Sequence, residues 1–120
     1  MVKFKVAKGG EWWAEGSSLV GYFKATWKDL YDLFGPIPVA NWSLDEKCSI
    51  EIQLKIDKEI ATIYDWKESY APGNRPNVTY EFHIGGHGIK SVEKLKELFI
   101  QLDRKDIAET IRPLGGSNGT

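Results

Sequence analysis

The sequence predicts an α+β fold, a two-layer sandwich in which a mainly antiparallel sheet carries two amphipathic helices. Three observations lead there. Segments 48–56, 60–67 and 78–84 alternate apolar with polar residues or are rich in β-branched and aromatic ones, which is the period of a strand. The connections between them are too short for the crossover of a dozen or more residues that parallel pairing requires. Segments 27–34 and 91–102 carry apolar residues at helical spacing, and each such stripe must be buried against something, here the dry face of the sheet.

Val2, Phe4 and Val6 alternate with lysines, as in a half-buried strand. Gly9-Gly10 to Gly16-Ser17-Ser18 is a loop holding Trp12 and Trp13, and Leu19 to Lys24 is a second short strand. Thr26 followed three residues later by Asp29 resembles a capping box. Trp27, Leu30, Tyr31 and Phe34 then form one helical face, ended by Gly35-Pro36. Cys48, Ile50, Ile52, Leu54 and Ile56 make a dry strand face opposite a wet one of Ser49, Glu51, Gln53 and Lys55. Asp57-Lys58-Glu59 is expected as a hairpin turn, Ile60 to Lys67 as the returning strand, and Glu68 to Asn77 as a loop. Val78, Tyr80, Phe82 and Ile84 form the next strand, broken by Gly85-Gly86-His87-Gly88. Ser91 is expected to cap a helix buried through Val92, Leu95, Leu98, Phe99 and Leu102, and Ile107, Ala108 and Ile111 suggest a last helical turn.

With 120 residues, 42% of them hydrophobic and 28% charged, the chain can fill one core, and it reads as a single domain over 1–114 with a flexible tail at 115–120. Sixteen basic against seventeen acidic residues leave a net charge of −1, so no global field draws the chain to nucleic acid or anionic lipid. The lone Cys48 excludes an internal disulfide and a four-cysteine zinc site. Residues 1–6 alternate charge and apolarity, unlike a secretory leader, and no apolar run approaches the roughly 18 residues of a membrane span. A soluble, cytoplasmic protein with no membrane partner is expected.

Two places could carry chemistry. At Gly85, Gly86, His87, Gly88 and Lys90, glycines ahead of a helix start could turn backbone N–H groups onto a small anion such as a nucleotide phosphate, with His87 and Lys90 supplying charge. The same residues also suit a plain strand-to-helix turn, and the spacing is neither a P-loop nor a dinucleotide fingerprint. His83 and His87 would need carboxylates such as Asp65 or Glu81 to complete a metal site, so no metal and no cofactor is expected. The other place is Tyr64-Asp65-Trp66-Lys67. If its wet face meets that of Glu81 and His83, Asp65 and His83 become an acid–base dyad, although no nucleophile motif accompanies them. Cross-strand charge pairs of this kind are also common as plain structure. Trp12, Trp13, Trp42, Tyr70 and Arg75 fall in expected loops, where large aromatics and arginine anchor protein interfaces or cover a small core. Glu11 and Glu15 beside the tryptophan pair disfavour nucleic acid.

Leu19-Val20-Gly21-Tyr22, Ala25-Thr26-Trp27-Lys28-Asp29-Leu30 and Leu33-Phe34-Gly35-Pro36 resemble the opening of a set of small, uncharacterised bacteriophage proteins. In those proteins an alternating strand and an acidic turn lead to a motif similar to Ala61-Thr62-Ile63-Tyr64-Asp65-Trp66-Lys67, and later to one similar to Phe82-His83-Ile84-Gly85-Gly86-His87. The resemblance covers about Leu19 to Phe99, with Phe82 where an aromatic, often Trp, precedes the family's His-Ile-Gly-Gly, and residues 1–18 have no counterpart. It implies a phage origin and no mechanism. The expectation is therefore a phage-encoded, non-enzymatic binding protein in the cytoplasm of the infected host, an inhibitor of a host defence or regulatory complex. The alternative is a protein that sequesters or hydrolyses a nucleotide-like anion at the Gly85–Lys90 turn.

Overall fold

Alternation along the strands decides which side chains meet, and here it builds one sheet with a single core face. The computed structural model describes residues 1–7, 13, 16–35, 51–65 and 77–114. Trp12, Trp42, Cys48, Trp66, Lys67, Tyr70, Arg75 and the expected tail at 115–120 lie outside the described residues. The elements run β1 (Phe4–Val6), β2 (Ser18–Thr26), α1 (Trp27–Phe34), β3 (Glu51–Ile56), β4 (Glu59–Tyr64), β5 (Thr79–Gly86), α2 (Ile89–Gln101), α3 (Lys105–Ala108) and β6 (Arg112–Pro113). The strands form one six-stranded sheet in the order β1-β3-β4-β5-β2-β6, and every pairing is antiparallel. The fold is α+β, as the patterning predicts.

The core face carries Phe23, Ala25, Ile52, Leu54, Ile56, Ala61, Ile63, Phe82 and Ile84, all buried. The helices close it with Leu30 and Phe34 from α1, Val92, Leu95, Leu98 and Phe99 from α2, and Ile107 and Ala108 from α3. Phe99 binds the layers together, its ring 5.3 Å from Phe23 and 6.1 Å from Phe34. The capping box forms as read: Thr26 Oγ1 accepts from Asp29 N, and Asp29 Oδ2 accepts from Thr26 N, both at 3.0 Å. Asp29 is also bridged by Arg104 at 3.0 Å, and Arg104 in turn grips Asp106, so α1 is tied to α3 through one guanidinium.

The local reading is corrected at several points. The hairpin turn is Asp57-Lys58 alone, because Glu59 already pairs with Ile56. Asp57 adopts φ 54°, a left-handed conformation that Asp tolerates, and its carboxylate is held by Lys3 N and Lys94 Nζ, each at 3.0 Å. Gly85 and Gly86 do not break the strand; they are paired with β4 on one side and β2 on the other. Their value is close approach. A Cβ on Gly85 would collide with Thr62 Oγ1, and one on Gly86 with the Ser91 side chain. Ser91 is not the cap of α2, which follows Gly88. It is fully buried in the first turn and donates its hydroxyl to Ile60 O at 2.8 Å, pinning the helix to β4. β6, a two-residue edge containing Pro113, carries no strand pattern in the sequence; Pro is tolerated at such an edge because its missing N–H is not needed there.

Candidate functional site

The sheet face opposite the helices gathers the chemistry-bearing side chains. Tyr64 is the β4 residue paired with His83, Tyr22 is the β2 residue paired with His83, Glu51 pairs with Tyr64 and Arg112 with Tyr22. Paired residues share a face, so Arg112, Tyr22, His83, Tyr64 and Glu51 form one row across five strands, roughly 19 Å long at about 4.8 Å per strand. The imidazole of His83 stands between two phenol rings, edge-on to Tyr22 at 5.2 Å and tilted against Tyr64 at 5.3 Å. Aromatic contacts of this geometry contribute about 0.5–1.5 kcal/mol each beyond their buried area. One cation and one anion end the row. Burial pushes the Glu51 carboxyl above its ordinary range.

Thr62 and Gly85 lie beneath this row and are buried, so the face is not the uniformly wet surface that strand alternation predicts. Trp13 also lies on it. Its backbone N–H donates to Gln53 Oε1 at 2.7 Å, and the Lys55 ammonium sits 5.1 Å from the centre of its ring. Trp13 is half-buried on its own sheet, a covering role for one of the aromatics expected to meet a partner.

Asp65 is not the register partner of His83. Tyr64 takes the place beside His83, and alternation assigns Asp65 to the side of Ile63, where it is 1% exposed. An acid–base dyad needs both groups within hydrogen-bond reach of a shared proton, and strand register alone does not set Asp65 opposite His83. Among the described residues no group of three or more His, Cys, Asp or Glu is placed to hold a metal ion.

The glycine segment is divided by the end of β5. The peptide groups of Gly85 and Gly86 lie in a ladder paired on both sides and do not converge on an anion. His87, Gly88 and Lys90 remain at the start of α2, with His87 and Lys90 exposed, and Ser91 N donates to Gly88 O at 3.1 Å. The backbone at Gly16, with φ +79°, lies against His87: a Cβ there would sit 3.8 Å from Nε2.

No helix among the described residues is long and apolar enough to cross a membrane. No protein family, curated protein or solved structure matches this chain.

Sequence reading finds His83 and the Tyr64 segment but pairs the wrong neighbour with the histidine. It also misses Tyr22, Glu51 and Arg112 as members of one row. The signal was available only for Tyr22 and Glu51, which sit at alternate positions of recognised strands.

Proposed function

We propose that this chain is a phage-encoded, non-enzymatic binding protein that acts in the cytoplasm of the infected bacterium by holding a host protein, as an inhibitor of a defence or regulatory complex. The observation that supports it most is the Arg112–Tyr22–His83–Tyr64–Glu51 row on the sheet face that, among the described residues, carries no helix. Tyrosine and arginine are among the side chains that most often dominate the energy of protein interfaces, tyrosine because it buries much area with two rotors and arginine because its planar guanidinium donates several hydrogen bonds.

Native mass spectrometry of the protein isolated from infected cells tests this reading. The expected spectrum contains a complex with one host protein at a fixed stoichiometry, lost when Tyr22 and Tyr64 are both changed to Ala while the far-ultraviolet circular dichroism is unchanged. A bound small anion in place of a protein would support the alternative at His87 and Lys90. The bare monomer alone would contradict both.

A further inference from the structure

β1, an outer strand of the sheet among the described residues, supplies a second and more specific recognition element. Ala7 N donates to Gln53 O at 2.9 Å, and Asp57 N donates to Lys3 O at 2.7 Å, so the odd-numbered residues of the first strand turn their peptide groups toward β3. In an antiparallel pair alternate residues do this, and the groups of Val2, Phe4 and Val6 therefore point away from the sheet. At Val2 that edge is already occupied in the manner of a strand. The Gln101 carboxamide accepts from Val2 N at 2.8 Å and donates to Val2 O at 3.0 Å, a side-chain imitation of one peptide unit. Among the described residues no strand pairs with the edge at Phe4 and Val6.

The side chains along this edge specify what would fit. Phe4 and Val6 face the core side, half-buried and opposite Ile56 and Leu54. Lys5 faces the other side and is paired directly with Lys55, two exposed like charges across the ladder, with Lys3 next along the strand. Such a pair is destabilising by itself and is relieved by a negative charge beside it. The acidic neighbour at the turn, Asp57, is committed to Lys3 N and Lys94. A second copy of this chain does not supply the charge. Registers that pair Phe4 with Phe4 or with Val6 of the second copy set lysines against lysines, the device by which edge strands avoid one another.

We infer that the β1 edge takes an extended acidic segment of a partner protein by strand addition, with apolar residues opposite Phe4 and Val6 and a glutamate or aspartate opposite Lys5. The inference rests on the binding-protein reading for its biological partner, but its geometry stands on the edge alone. In antiparallel addition Lys5 falls at a non-hydrogen-bonded pair, where side chains approach most closely, so its ammonium meets the carboxylate directly.

The test uses the whole protein labelled with nitrogen-15 and a capped pentapeptide of alternating valine and glutamate, with a valine–lysine peptide as control. The glutamate peptide is expected to shift the Phe4 and Val6 amides more than that of Lys5, and its affinity should fall with added salt. Lys5→Glu should weaken the glutamate peptide at least about tenfold and transfer the preference to the lysine peptide, since like charges placed face to face are strongly unfavourable. This exposed substitution leaves the core intact, and reversed preference cannot arise from unfolding. Equal binding of both peptides, unmoved Phe4 and Val6 amides, displacement of the peptide by a single-stranded oligonucleotide, or dimerisation through β1 would each overturn the inference. No host protein enters this assay, so peptide binding without a host complex would sink the proposed function and leave the edge site standing, and the reverse result would do the opposite.

Discussion

Replacing Gly86 by Ala tests whether the glycines at the end of β5 serve packing. Gly86 lies in the ladder without a positive φ, so alanine suits its backbone and only space opposes the methyl group. That space is filled by Ser91 Oγ and Cβ, with Ile60 O 3.2 Å away. The first turn of α2 must lift, an overpacking strain of about 1–3 kcal/mol. The Ser91–Ile60 hydrogen bond, 2.8 Å in the wild type, is lost with it, at about 0.5–1.5 kcal/mol. The sum is about 1.5–4.5 kcal/mol, or a fall in Tm of roughly 6–18 °C at about 4 °C per kcal/mol for a domain of this size. Urea titration followed by tryptophan fluorescence measures it. The companion variant Ser91→Gly removes the obstructing side chain, so the double variant should be less destabilised than the sum of the single ones by about 1 kcal/mol or more. A Gly86→Ala change within about 0.5 kcal/mol of wild type, or strict additivity with Ser91→Gly, would refute the packing account. A functional glycine cradle would then regain its footing.

Three further outcomes follow from the same contacts. Glu51 has its carboxyl pKa raised by burial in the fold, so it opposes folding at neutral pH; Glu51→Gln should raise Tm at pH 7, with the gain fading below the unfolded value of about 4.3 in thermal melts at several pH values. For Asp29, burial acts to raise the carboxyl pKa, but the Thr26 N–H and the Arg104 guanidinium outweigh it and the net shift is downward. Its contribution is therefore present above about pH 3.9 and lost as pH falls through the lower folded value, and Asp29→Asn should lose more stability at pH 7 than at pH 2. Gln101→Ala removes two bonds to Val2 and should cost about 1–3 kcal/mol at about 0.5–1.5 kcal/mol per bond, with faster amide exchange at Val2 than in the wild type.

The α+β class, the antiparallel sense and most core positions were legible because strand and helix periods are written locally, in runs such as Ile52, Leu54 and Ile56 or Val92, Leu95 and Phe99. The candidate site was less legible, since it depends on phase between strands. Shifting β4 by one residue against β5 would put Asp65 beside His83, and the actual register puts Tyr64 there. That phase is set by the two-residue turn at Asp57-Lys58 on one side of β4 and by the fit of Thr62 over Gly85 on the other. Neither fixes itself in the pattern of β4 alone. Gly85-Gly86 reads as a chain break for the same reason: the close approach of Thr62 and Ser91 that demands glycine comes from residues remote in sequence.

The central claim is that the sheet face opposite α1, α2 and α3 meets a host protein, and site-specific photo-cross-linking in infected cells tests it most directly. A benzophenone amino acid is placed at Tyr64, in the aromatic row, and in a second variant at Glu93, exposed on α2. The account predicts one discrete host adduct from position 64 and none from position 93. Adducts of equal yield at both positions, or none at position 64 in a protein that still folds, would contradict it.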